Sequence, residues 1–191
     1  MELNILKAMN SVSPLTEQDC SELLKIFKTK VLKKGEMWLE QGKVNYNGAF
    51  VEEGYLRRYW LKDGEEITDV FYFENDFCAD LQSIIGKVKP ISNVVAMQRT
   101  TMTTFSYPEF NRLCEKSITV ELVHRLLLES VLLRFYNRTA SFILQSPKER
   151  YDDLVVGDSD ECDHTVSAQA DHPFRGKLTR AFRGKSITPN E

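Results

Sequence analysis

From Ser117 to Gln145 the chain reads SITVELVHRLLLESVLLRFYNRTASFILQ, with neither glycine nor proline. The helical period holds throughout, and the run is more than twice the length of an average globular helix of about a dozen residues. With Leu122, Leu126, Leu133, Tyr136, Ala140 and Ile143 taken as a spine, most positions fit the a/d spacing of a two-helix seam, interrupted by Glu129. Val123, Leu127, Val131 and Leu132 fall outside that seam, so the apolar face is too broad for one contact. One flank is expected to pack on the preceding residues and the other on a second copy, making the protein a homodimer.

The residues before this run have a different period. Residues 1–30 read as helical, with a start signal where Ser13 precedes Pro14 and with Leu15, Leu23, Leu24 and Phe27 at helical spacing. From Val31 the chain turns to short β-rich runs, VLKKGEMWLEQGKV, AFVEEGYLRRYWLKDGEEITDVFYF and VVAMQRTTMTTFSY, punctuated by Gly35, Gly42, Gly54 and Gly64. Such intervals suit an antiparallel sandwich or barrel with tight turns. KDGEE, between Tyr59-Trp60-Leu61 and Ile67, is the strongest hairpin signal. The helical period returns at about Pro108.

A chain of 191 residues with 42% hydrophobic content can bury a core as one domain with or without an appendage. Its four cysteines, Cys20, Cys78, Cys114 and Cys162, lie far apart, with no C-x-x-C pair and no histidine at metal spacing. Reduced, buried thiols and no metal site are the expectation. No basic flank with a long apolar run opens the sequence, and no stretch reaches the length of a membrane span, so a cytoplasmic protein without membrane contact is expected. The net charge of −3 argues against a uniformly basic nucleic-acid binder.

One stretch suggests a pocket. VFYF (Val70 to Phe73) and NVVAM (Asn93 to Met97) flank DLQSIIG, whose spacing suits one or two helical turns, so strand, short helix and strand form a lip. A helix N-terminus there points backbone N–H groups at whatever lies above it, which is how anions are held. Asp80 stands beside that turn, either at the pocket or merely capping the helix.

Beyond the long run, Ser146-Pro147-Lys148-Glu149 combines an N-cap, a first-turn proline and a capping-box glutamate, so a new helix begins there. The acidic GDSDECDH and the basic HPFRGKLTRAFRGK follow, neither with a clear amphipathic helix. Residues 156–191 are expected to be loosely structured, or the remnant of a small helical domain.

A helix pair, a glycine-punctuated barrel with an embedded lip, a long helix and a capped helix starting SPKERY resemble, in that order, the Crp/Fnr family of bacterial transcription regulators. The resemblance spans roughly residues 10–155 and rests on KKGE at Lys33 to Glu36, FVEEGYLRRYW at Phe50 to Trp60, KDGEEIT at Lys62 to Thr68 and QSPKERYDDL at Gln145 to Leu154. The G-x-L-R and E-R-Y pieces look most like the Bacteroidetes branch. The fold it implies is α+β: N-terminal helices, an antiparallel double-stranded β-helix or jelly roll of the cyclic-nucleotide-binding kind, a long dimerisation helix and a partial helical region. The implied divisions are residues 1–115, 116–145 and 146–191.

In that family the lip is a phosphate-binding cassette, G-E-L followed by R-S-A. Here Ala79 and Asp80 stand in the Gly and Glu places, followed by Leu81, while Ile91, Ser92 and Asn93 stand where Arg, Ser and Ala are found. The cassette arginine is missing. A charge-assisted contact to phosphate is worth roughly 1.5–3 kcal/mol, so its loss weakens a cyclic nucleotide by one to two orders of magnitude. Arg57 or its neighbour Arg58 is the candidate substitute, since alternate strand residues face opposite ways. The expected effector pocket is therefore Ala79, Asp80, Leu81, Ser92, Asn93 and Arg57, taking a cyclic nucleotide or another small anionic ligand.

The resemblance also implies DNA binding. Ser186 to Glu191, SITPNE, looks like the turn entering a recognition helix that this sequence does not continue into. The cluster Arg175, Lys177, Arg180, Arg183 and Lys185 is expected to touch phosphates only, and phosphate contacts position a protein without reading sequence. The second reading is accordingly a stand-alone dimeric sensor without sequence-specific DNA binding. A metal-dependent enzyme on a similar barrel is disfavoured, because the only histidines, His124, His164 and His172, lie outside the strands.

Overall fold

The computed structural model describes residues 3–146, 148 and 149. Two helices come first, α1 (Asn4–Val12) and α2 (Glu17–Ile26). The second begins three residues later than the Ser13-Pro14 signal suggests. Thr16 is its N-cap: Thr16 Oγ1 accepts from the Asp19 N–H at 3.1 Å, and Asp19 Oδ2 accepts from the Thr16 N–H at 3.1 Å. A reciprocal capping box satisfies two terminal donors at once, whereas Ser13 is engaged in closing α1, its N–H donating to the Met9 carbonyl.

Eight strands follow: β1 (Lys28–Leu32), β2 (Met37–Leu39), β3 (Asn47–Glu53), β4 (Leu56–Lys62), β5 (Glu65–Tyr72), β6 (Phe77–Cys78), β7 (Ser92–Ala96) and β8 (Thr100–Ser106). They form two antiparallel sheets of four, in the orders β1-β8-β3-β6 and β2-β7-β4-β5. Both sheets contribute to one core. Leu32, Ala49, Val51, Cys78 and Met102 come from the first, and Leu39, Leu56, Val94 and Ala96 from the second. This is the expected antiparallel β-roll with helices around it.

The hairpin expected at KDGEE is present. Lys62 pairs with Glu65 across Asp63 and Gly64, both at positive φ (53° and 85°), the left-handed pair that a two-residue hairpin needs. A second turn admits only glycine: Gly54, between β3 and β4, has φ 91°, and a Cβ there would lie 2.8 Å from the Arg99 carbonyl oxygen.

Between β6 and β7 lies a single short helix, α3 (Leu81–Ile84); the strand just before it is the two-residue β6, and not the expected VFYF run, which closes β5. After β8 come α4 (Tyr107–Cys114), with Pro108 in its first turn, and α5 (Ile118–Leu144), which spans 27 residues. Ser117 starts α5, its Oγ accepting from the Val120 N–H. By contacts the chain divides within this helix into one unit ending at Leu126 and another starting at Leu127. Among the described residues, no helix is long and apolar enough to cross a membrane. The capping bonds expected at Ser146 and Glu149 are made in both directions, at 2.7 and 3.3 Å.

Candidate effector-binding cleft

The phase of β4 decides which side chains reach the cleft beside Asp80. Leu56 is fully buried, so the period of two places Arg58 and Trp60 on its inward face and Arg57 on the other. Arg57 accordingly turns away: its guanidinium donates to Thr68 Oγ1 at 3.0 Å, pairs with Glu66 and stacks over the Tyr59 ring. Of the two arginines that the sequence offers, Arg58 lines the cleft and Arg57 does not.

Opposite Arg58 the pairing slips by one residue. Arg58 faces Val70 and Tyr59 faces Thr68, leaving Asp69 as a bulge in β5. Bulges re-aim side chains, and this one sends the Asp69 carboxylate to the guanidinium. Arg58 Nε donates to Asp69 Oδ1 at 2.9 Å, Nη2 to Oδ2 at 2.7 Å, and Nη1 to the Tyr72 hydroxyl at 3.4 Å. Both side chains of the pair are only 16% exposed. Burial works against the Arg58 charge, but the hydrogen bonds and the negative charge of Asp69 outweigh it and hold the guanidinium protonated more firmly than in water.

Around this pair the cleft is lined by Trp38, Leu39, Tyr72, Cys78, Ala79, Asp80, Ser92 and Val94. The space in which a water molecule's centre fits is about 10 Å³, roughly the room for one water. Asp80 is the N-cap of α3, its Oδ2 accepting from the Ser83 N–H at 2.9 Å. Its carboxylate thus takes a place at the helix terminus where an incoming anion would sit. The Cys78 thiol is pushed up to about 12, chiefly by burial, with Arg58 opposing and Asp76 and Asp80 adding to the rise. It is therefore a thiol and not a nucleophilic thiolate at neutral pH.

Of the six expected pocket residues, Ala79, Asp80 and Ser92 line this cleft. Arg57, Leu81 and Asn93 do not. Leu81 opens α3, and Asn93 holds the loop before β3, its Oδ1 accepting from the Gln41 N–H at 2.9 Å. Ile91, in the family's arginine place, is exposed, with its N–H donating to Gln82 Oε1. Trp38, Arg58, Asp69 and Tyr72 were not legible as one group, because a bulge leaves no mark on the alternation of a strand.

Along α5, Leu122, Leu126 and Ala140 are half-buried, while Leu133 and Tyr136 are 61% and 70% exposed. Leu132, Phe142, Ile143 and Leu144 are also exposed. The basic residues Arg175, Lys177, Arg180, Arg183 and Lys185 lie outside the described residues.

Comparison with solved structures places this arrangement. The sensor domain of the transcriptional regulator DNR from Pseudomonas aeruginosa matches at a TM-score of 0.56 and 19% identity, over 70% of this chain and 86% of that one. The fold is shared with that domain, at an identity that speaks for architecture alone. The Thermus thermophilus catabolite activator protein matches at 0.60 and 13% identity, over 95% and 91% of the two chains. The regulatory domain of Toxoplasma gondii PKA, co-crystallised with cAMP, matches at 0.53 and 17% identity, over 66% and 48%. No family model matches the sequence, and no curated protein does either.

Proposed function

We infer that this chain is a Crp/Fnr-like transcription regulator whose β-roll senses a small molecule through the cleft beside Asp80, without holding a cyclic nucleotide at high affinity. The observation that carries the reading is the self-neutralised cleft: Arg58 is committed to Asp69 and Tyr72, and the Asp80 carboxylate caps α3. A cyclic phosphate entering there must displace one carboxylate from a guanidinium and approach another at the helix terminus. It gains charge-assisted bonds only by breaking equivalent ones.

The exposed apolar residues of α5 support a homodimer built on Leu122, Leu126, Leu133, Tyr136 and Ala140. In this reading residues 1–115 form the sensor, 116–145 the dimer helix, and 146–191 a DNA-directed segment whose basic cluster neutralises phosphates. An effector acts by binding one dimer arrangement better than another, and only that difference does work.

Calorimetric titration with cyclic AMP and cyclic GMP tests the pocket. The expected result is binding weaker than about 100 μM for the wild type, with tighter binding in Asp69→Asn, where Arg58 is released. Micromolar binding by the wild type, lost in Asp80→Ala, overturns the reading. A duplex-shift assay at physiological salt tests the DNA arm: competition by scrambled duplex as effective as by the defined one favours the stand-alone sensor.

A further inference from the structure

His124 lies ten positions after Cys114 in sequence, yet the turn between α4 and α5 brings them together with Glu121. Cys114 is the buried last residue of α4, and Glu121 and His124 stand one turn apart on the first two turns of α5. One ligand atom from each of the three side chains lies within 4.8 Å of the others, and His124 Nδ1 is 3.7 Å from Glu121 Oε2. The other ring nitrogen, Nε2, is 3.0 Å from the Tyr107 hydroxyl, and the ring stands edge-on to Phe110 and Tyr107. That hydroxyl accepts from Nε2–H when Nδ1 carries the lone pair, so the imidazole is oriented with Nδ1 toward the carboxylate.

We propose that Cys114, Glu121 and His124 form a binding site for a zinc-type divalent cation at the junction of α4 and α5. The chemistry of the set selects the ion. A thiolate, an imidazole and a single carboxylate suit a borderline metal and not magnesium or calcium, which take mostly oxygen ligands. Ligand atoms around tetrahedral zinc are about 3.3–3.8 Å apart for bonds of about 2.0–2.3 Å, so the trio closes on the ion by rotamer shifts of about 1 Å. The Glu-x-x-His spacing puts both helix ligands on one face, an arrangement used in helical metal sites. Tyr107 supplies the outer-shell contact that metal-bound histidines need. On binding, the Cys114 S–H proton passes to solvent and its sulfur bonds the metal, while Glu121 exchanges the thiol hydrogen bond for a metal bond. Three protein ligands leave a fourth position for water or an exogenous donor. The bound ion ties the base of α5 to the end of α4.

The test uses the full chain, reduced and stripped with a chelator, titrated with cobalt(II) and then zinc. Expected is a saturable thiolate-to-cobalt charge-transfer band with visible ligand-field bands at one equivalent, all erased by zinc. Cys114→Ser removes the charge-transfer band, and Cys20→Ser, Cys78→Ser and Cys162→Ser retain it. Glu121→Gln, His124→Gln and Tyr107→Phe each weaken affinity by about tenfold or more. Glu121 is half-exposed, so its variant keeps the test decisive if Cys114→Ser does not fold. Absence of the band at about 1 mM cobalt, its persistence in Cys114→Ser, or unchanged affinity in Glu121→Gln overturns the proposal.

Discussion

Arg58 and Asp69 are two residues whose roles differ although each completes the other. Removing Asp69 strands a guanidinium that is mostly out of water, whereas removing both leaves Tyr72 and Val94 to close over the gap. Asp69→Ala should therefore destabilise the fold by about 2–3 kcal/mol in urea unfolding, and the double variant Arg58→Met, Asp69→Ala by less. Asp19 is the comparable residue on the helical side. Burial raises its carboxyl, but hydrogen bonds from Ser117 and Thr16 outweigh it and hold it below the ordinary value of 3.8. A depressed folded value stabilises the protein above pH 3.8, and that stability is lost as the pH falls through the lower folded value. Acid unfolding of Asp19→Asn should accordingly show a shallower pH dependence than the wild type in that window. Neither Asp69 nor Asp19 was singled out by sequence. The alternation of GYLRRYW offers two phases, and only the complete burial of Leu56 chooses between Arg57 and Arg58.

Elements were more legible than the contacts between them. The Asp63-Gly64 hairpin, the short helix of the lip, the 27-residue α5 and the cap at Ser146 all follow from local rules: turn chemistry, an uninterrupted helical period and reciprocal capping. The start of α2 did not, because Ser13-Pro14 and Thr16-Glu17 both satisfy such rules and the Asp19 reciprocal bond settles the choice. The meeting of Cys114 with His124 also escaped, since it depends on the angle of a helix-to-helix turn and not on any spacing within one element. At Gly54 the local rule and the packing agree. An alanine there meets both an unfavourable φ and the Arg99 carbonyl, so Gly54→Ala should lower stability by about 2 kcal/mol or more, measured by thermal or urea unfolding.

For the whole molecule, oligomeric state is the first quantity to measure. The exposed apolar side chains from Leu132 to Leu144 predict that sedimentation equilibrium finds a dimer at micromolar concentration. A charge in the middle of that surface, Leu133→Asp, is expected to shift the mass toward the monomer while leaving the β-roll's circular dichroism unchanged. A dimer unaffected by Leu133→Asp with Tyr136→Lys would place the interface elsewhere.

The internal ion pair of the cleft sets how strongly any anionic guest can be held. Since Asp69 and Asp80 already occupy the donors that an anion would claim, added phosphate should leave the melting temperature unchanged. The binding energy left to a visitor is then only the margin by which it outcompetes the protein's own carboxylates.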